Sequence, residues 1–175
     1  MYAEIGKHDI EAENKMILDH FSFSDAPLDL GRVTTTQVAG MKPCGLWLSV
    51  PGDQDWPAFT AENFASRLGS VRHAVGIADD ANLLVLDSHE AVVGLAKRFP
   101  DPARRSSNPS YHDTIDWVTV SRSYDGVIVP DYQHDAWRHI EASWYYAWDC
   151  SCACIWNARA IVSSAIHQAQ LPQAA

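Results

Sequence analysis

The sequence predicts an α+β fold, a mixed sheet flanked by helices, on three observations. Short apolar runs of strand length are bounded by Gly, Pro and Asp; capped helical stretches are interspersed among them; and the spacing lacks the regular rhythm of about 30 residues that a doubly wound parallel sheet requires. A chain of 175 residues can bury roughly two thirds of its unfolded surface without outside help, so one domain suffices. The expected organisation is a leader over residues 1–15, a single domain over 16–170 and a tail over 171–175.

Met16 to Ser22 (MILDHFS) is an apolar run closing in polar residues, and it reads as the first strand. Leu28 to Gln37 holds a turn around Gly31 and then a Thr-rich piece with β preference. Lys42-Pro43-Cys44-Gly45 is a breaker cluster, followed by the strand Leu46 to Val50, which Pro51-Gly52 stops. Asp55 is a helix N-cap with Pro57 in the first turn, and Phe59, Phe64 and Leu68 recur at near-helical spacing before Gly69. Strands over Arg72 to Ala78 and Asn82 to Leu86 follow, joined by the turn Asp79-Asp80.

Ser88 caps a helix to about Arg98, with Ala91, Val92 and Leu95 inward and Pro100 as the stop. Asp101 to Ser110, rich in Pro and Ser, reads as a surface loop. Asp113 is the expected cap of a short helix through Trp117 and Val120, leading to the turn Tyr124-Asp125-Gly126 and the strand Val127 to Val129. Asp131 to Tyr146 carries Trp137, Ile140, Trp144 and Tyr145 at mixed three and four spacings and predicts a helix. Cys152 to Trp156 is expected as the last strand, and Ala158 to Gln170 as a C-terminal helix.

Thirteen Lys and Arg against 22 Asp and Glu leave a net charge of −9, so nothing in the overall balance draws this surface to a polyphosphate backbone. Glu4, Asp9, Glu11 and Glu13 stand where a signal peptide needs a basic start and an apolar run. No segment approaches the ~18 uninterrupted apolar residues of a membrane span. A cytoplasmic protein with no membrane partner is the expectation. Cys150, Cys152 and Cys154 alternate along one segment far from Cys44, a poor layout for a disulfide framework. As a strand they would stand roughly 6–7 Å apart, too far for one tetrahedral ion, so no metal site is expected. Seven Trp is a heavy load, and some of these rings are expected to line a pocket.

Two strands carry candidate chemistry. His20 and Ser22 point to one face of the first while Phe21 points to the other, and a His beside a hydroxyl suits holding a polar ligand. A structural histidine at a strand end is the competing account. In the second strand Gly45, Trp47 and Ser49 share a face: Gly permits close approach, Trp gives a flat stacking surface and Ser a small hydrogen-bonding group. Core packing competes there too. His112, His134 and His139 are further acid-base candidates, and a Cys/His hydrolase would pair one of them with Cys150 or Cys44. GxxxxGK, GxGxxG, GxSxG and HExxH are all absent.

The order of these pieces resembles the NAD-binding core of the ADP-ribosyltransferase superfamily, in its histidine-bearing branch that includes diphtheria toxin and the poly(ADP-ribose) polymerases. A His-bearing strand, a gap of about twenty-five residues, a Gly-aromatic strand ending in a small hydroxyl residue and an amphipathic helix carry the resemblance. Tyr124-Asp125-Gly126-Val127-Ile128-Val129 resembles the "YDG" strand of many members.

The resemblance implies a mostly antiparallel split sheet with NAD in the cleft between its halves, and transfer of ADP-ribose to a protein or nucleic-acid acceptor. It implies that His20 binds the adenosine ribose, flanked by Phe21 and Ser22, and that Trp47, between Gly45-Leu46 and Ser49, stacks on nicotinamide. Members usually place a Glu near the last core strand, and this region has none; Glu141 falls in the expected helix. Asp149, in Trp144-Tyr145-Tyr146-Ala147-Trp148-Asp149-Cys150, is the substitute, held among aromatics such as Tyr146, with Asp125 second. A non-catalytic nucleotide- or protein-binding module on the same fold is the alternative.

Overall fold

In the computed structural model, which describes residues 15–33, 36–101 and 114–168, seven strands lie along the chain. They are β1 (Ile17–Ser22), β2 (Leu46–Ser49), β3 (Val71–Ile77), β4 (Leu83–Val85), β5 (Gly126–Val129), β6 (Cys152–Ile155) and β7 (Ile161–Gln168), with helices α1 (Trp56–Asn63), α2 (His89–Arg98) and α3 (Trp117–Ser121) between them. The strands form one mixed sheet in the order β4-β5-β6-β2-β1-β3-β7. Only β4 and β5 run parallel, so the α+β class and the mixed, mostly antiparallel sheet stand.

In place of two separate sheets there is a narrow seam. β1 and β2 share a single registered pair, Asp19 opposite Ser49, whereas β1 and β3 share six and β3 and β7 seven. Beyond that pair the two strands have no further registered partner in each other, and the sheet continues across the seam without dividing.

Side-chain alternation builds a core on each face. On one face Val127, Val129, Cys152 and Cys154 pack beneath Trp117, Trp144, Trp148 and Trp156, with α2 supplying Val92 and Leu95. On the other Leu18, Leu48, Val75, Ile128, Ala153 and Ile161 form a second core. The first core draws its strand residues from β4, β5 and β6 and touches β2 through Trp47, whereas the second draws on both sides of the seam. A cleft opens beside Trp47, and of the second core Leu48 reaches its lining.

Helices α1 and α2 start where their caps announce them. Asp55 accepts from Ala58 N at 2.8 Å and Ser88 from Ala91 N at 3.2 Å, each closing the open N–H groups of a first turn. Helix α1 ends at Asn63, before the Phe64 and Leu68 that were expected to extend it.

Four further expectations are corrected. Asp116 caps α3, accepting from Thr119 N at 3.1 Å, where Asp113 was expected; Asp113 and His112 lie outside the described residues, as do most of the Asp101–Ser110 loop, the leader to residue 14 and residues 169–175. Over Asp131 to Tyr146 the chain forms two 3-10 segments, Ala136–Arg138 and Ile140–Ala147, the second kinked at Ala142. Of the Thr-rich piece with β preference, Thr34 and Thr35 lie outside the described residues, and Thr36 and Gln37 are not in a strand; the Gln37 amide holds the Cys44 backbone in both directions, at 2.6 and 2.9 Å. Finally, Ala158 to Gln170 is not a helix. After a turn over Ala158–Ala160 it runs as β7 along the edge of β3, because Ile161, Val162 and Ile166 suit an extended chain and an unpaired strand edge is there to receive it.

Candidate functional site

The seam positions a cleft of about 430 Å³, within the range of roughly 300–1,000 Å³ usual for small-molecule sites. Five of the residues expected at a site meet in its wall: His20, Phe21, Trp47, Ser49 and Asp149. Asp19, Lys42, Trp56, Arg67, Trp148, Cys150 and Cys152 join them, none of which was named as a binding residue. Trp47, Trp56 and Trp148 supply the aromatic surface that the Trp content led us to expect.

Strand β2 sets Trp47 and Ser49 on the cleft side while Leu46 and Leu48 face the second core. Trp47 is held edge-on by Trp148, ring centroids 5.1 Å apart. Trp148 is itself anchored, donating from Nε1 to Met41 O at 3.1 Å and stacking at 5.9 Å on Tyr145. The indole is thus presented on a rigid aromatic support. Ser49 Oγ accepts from Trp56 N at 2.9 Å, so this hydroxyl fixes the start of α1.

His20 shares its strand face with Leu18, on the side of the second core, and it meets the cleft through the seam. Its Nδ1 lies 2.9 Å from the carbonyl oxygen of Trp47. A carbonyl only accepts, so Nδ1 donates and Nε2 is left as the acceptor of a neutral ring. The imidazole takes the place of a missing ladder bond and ties β1 to the backbone of the stacking residue.

Asp149 follows the aromatic run and stands at the cleft mouth. Its Oδ2 is 3.5 Å from Lys42 Nζ, with both side chains 40% exposed. The same ammonium lies 5.3 Å from the Trp47 ring centroid. Asp19, opposite Ser49 at the seam, is buried at ion-pair distance, 2.9 Å, from Arg72 Nε.

The other expected site residues are engaged elsewhere. Ser22 Oγ donates to Ser24 O at 2.6 Å and lies 3.1 Å from His73 Nε2. Gly45 permits a close approach, but by protein: a Cβ there would overlap the Ile155 carbonyl oxygen of β6. Leu46 packs on the second core, and Tyr146 is exposed against the edge of Trp137, centroids 5.5 Å apart. Asp125 is buried beyond the cleft. Arg159 holds it in a fork with two 2.8 Å bonds, and Asn82 N and Asn157 Nδ2 add bonds of 3.0 and 2.8 Å. Burial pushes this carboxyl up, yet the bonds from Arg159, Asn82 and Asn157 outweigh it and hold it below the usual carboxylate range.

Two of the four thiols, those of Cys152 and Cys154, are poor nucleophiles. A hydrogen bond with Cys150, then burial, push the Cys152 thiol well up, and burial does the same to Cys154. Burial, followed by the nearby Asp149 and the thiols, pushes Tyr132 up to about 12. Among the described residues no three His, Cys, Asp or Glu side chains converge as metal ligands. None of the helices among them is long and apolar enough to cross a membrane. No family model, curated protein or solved structure matches the chain.

Proposed function

We propose that the chain is an NAD-dependent, ADP-ribosyltransferase-like enzyme that cleaves the bond between nicotinamide and ribose and transfers ADP-ribose to a macromolecular acceptor. The observation that carries this is the convergence of Trp47 and Asp149, 102 residues apart, on one cleft at a seam that His20 bridges. Nicotinamide stacks on the supported indole. His20 Nε2 accepts from a ribose hydroxyl while Nδ1 stays on the Trp47 carbonyl. Asp149 stabilises the cationic ribose that develops as nicotinamide leaves, the role of a fixed charge aimed at the transition state. A cytoplasmic location, where NAD is supplied and thiols stay reduced, goes with this function.

The expected result is that Asp149→Asn loses nicotinamide release at saturating NAD by about 10²-fold or more, far beyond any loss of NAD binding, as for removal of a transition-state stabiliser. Trp47→Ala weakens binding instead. Undiminished release by Asp149→Asn sinks the assignment. A second reading, a non-catalytic nucleotide-binding module, is favoured by one observation: among the described residues no Glu lines the cleft, and its exposed carboxylate Asp149 is paired with a lysine. Saturable NAD binding by the native chain without any nicotinamide release selects that reading.

A further inference from the structure

Lys42 stands between Trp47 and Asp149, its Nζ 3.5 Å from the carboxylate and 5.3 Å from the ring centroid. An indole face and a carboxylate converging on one point are the two attractions that hold an organic cation, one through the ring quadrupole and one through charge. The backbone beneath Lys42 is fixed on both sides. Trp117 Nε1 donates to Gly40 O at 3.0 Å and Trp148 Nε1 to Met41 O at 3.1 Å, while Gln37 holds Cys44. Pro43 restricts the Lys42 backbone further. What remains mobile is a four-carbon stem, 40% exposed, whose ammonium loses little by swinging into water.

We infer that Trp47 and Asp149 form a seat for a planar organic cation of the N-alkylpyridinium class, and that Lys42 is its built-in competitor. The ammonium fills the seat in the empty cleft and leaves it when the ring stacks on Trp47 with its charge beside Asp149. This rests on the reading of the cleft as a nicotinamide seat, and adds two things: the seat selects the charged ring over a neutral one, and Lys42 sets its affinity. Because the competitor is tethered, its removal strengthens the cationic ligand alone.

The test is calorimetric titration of the full chain with 1-methylnicotinamide, a cation, and with nicotinamide, its neutral twin. The native protein is compared with Lys42→Met and with Arg67→Met, which removes the same charge from another part of the cleft wall. Lys42→Met is expected to bind the cation about three- to tenfold more tightly, the scale of one ion pair and one cation–π contact, with less than about twofold change for the neutral twin. Arg67→Met is expected to change cation binding by less than about twofold. The inference is overturned by unchanged or weaker cation binding in Lys42→Met, by equal gains for both twins, or by an equal gain in Arg67→Met. NAD titrated alongside separates the two ideas. A cation response without NAD binding keeps the seat and removes NAD as substrate; NAD binding without a Lys42 effect on the cation does the reverse.

Discussion

His73 shows how much of a side chain's behaviour comes from residues remote in sequence. It lies opposite His20 in the β1–β3 register, with ring centroids 5.8 Å apart, and is 1% exposed. Its Nε2 lies 3.1 Å from Ser22 Oγ, and its Nδ1 has no hydrogen-bond partner among the described residues. Burial, and then the nearby His20, lower its pKa from 6.5. The unfolded chain therefore binds a proton at this residue before the folded protein does, and stability falls as pH drops below about 6.5. It is fully present above that value. Urea unfolding midpoints from pH 8 to pH 5 are expected to decline on the acid side, and His73→Gln to flatten that part of the profile; an unchanged slope in His73→Gln contradicts the assignment.

Neither His73 nor Lys42 carried a local signal. A lone His inside an apolar strand is indistinguishable from a packing residue, and the carboxylate that Lys42 meets is more than a hundred positions away. Asp125 is the opposite case. Asp before Gly at a turn is ordinary, and it is Arg159 and Asn157, arriving from beyond β6, together with Asn82, that make a fourfold clamp around it.

At the level of elements, the legible pieces were those whose ends are written in chemistry. Asp55 and Ser88 each satisfy a first-turn N–H, and Pro and Gly bracket β2, so α1, α2 and β2 were readable from a few neighbouring residues. β7 was not, because the Ala and Gln residues of the wider segment Ala158 to Gln170 favour helix while the pairing depends on β3, some ninety residues earlier. A proline scan distinguishes the two conformations. In an antiparallel edge strand successive N–H groups alternate between the neighbour and solvent, so of Ser164→Pro and Ala165→Pro only one breaks a bond to β3. One variant is expected to lower stability by about 3 kcal/mol and the other by far less, whereas a helix would be broken by both. Circular dichroism melts of the two variants decide it; equal large losses refute the strand.

On the scale of the whole molecule, the seam divides the sheet into β4-β5-β6-β2 and β1-β3-β7, joined by the Asp19–Ser49 pair and by His20 on the Trp47 carbonyl. Two links of that kind, each worth about 1 kcal/mol net, do not make halves of this size fold as one. The second core does. Leu48 from β2 packs in it with Leu18 from β1 and Val75 from β3, while Ala153 and Ile128 continue it to the far side. A cleft at the seam and a cooperative protein are compatible because the apolar bridge lies on the face of the second core. Leu48 is 1% exposed, and Leu48→Ala is expected to cost roughly 2–4 kcal/mol. Its more specific consequence concerns cooperativity: the native chain is expected to unfold in one transition by tryptophan fluorescence and by far-UV circular dichroism alike. The tryptophans of the first core all lie on the β2 side of the seam, so they report on that half alone, while circular dichroism reports on both. With the bridge weakened, Leu48→Ala is expected to pull the two curves apart, with circular dichroism lost first as β1-β3-β7 loosens. Coincident curves at a lower midpoint would mean that the seam itself, and not the second core, carries the coupling.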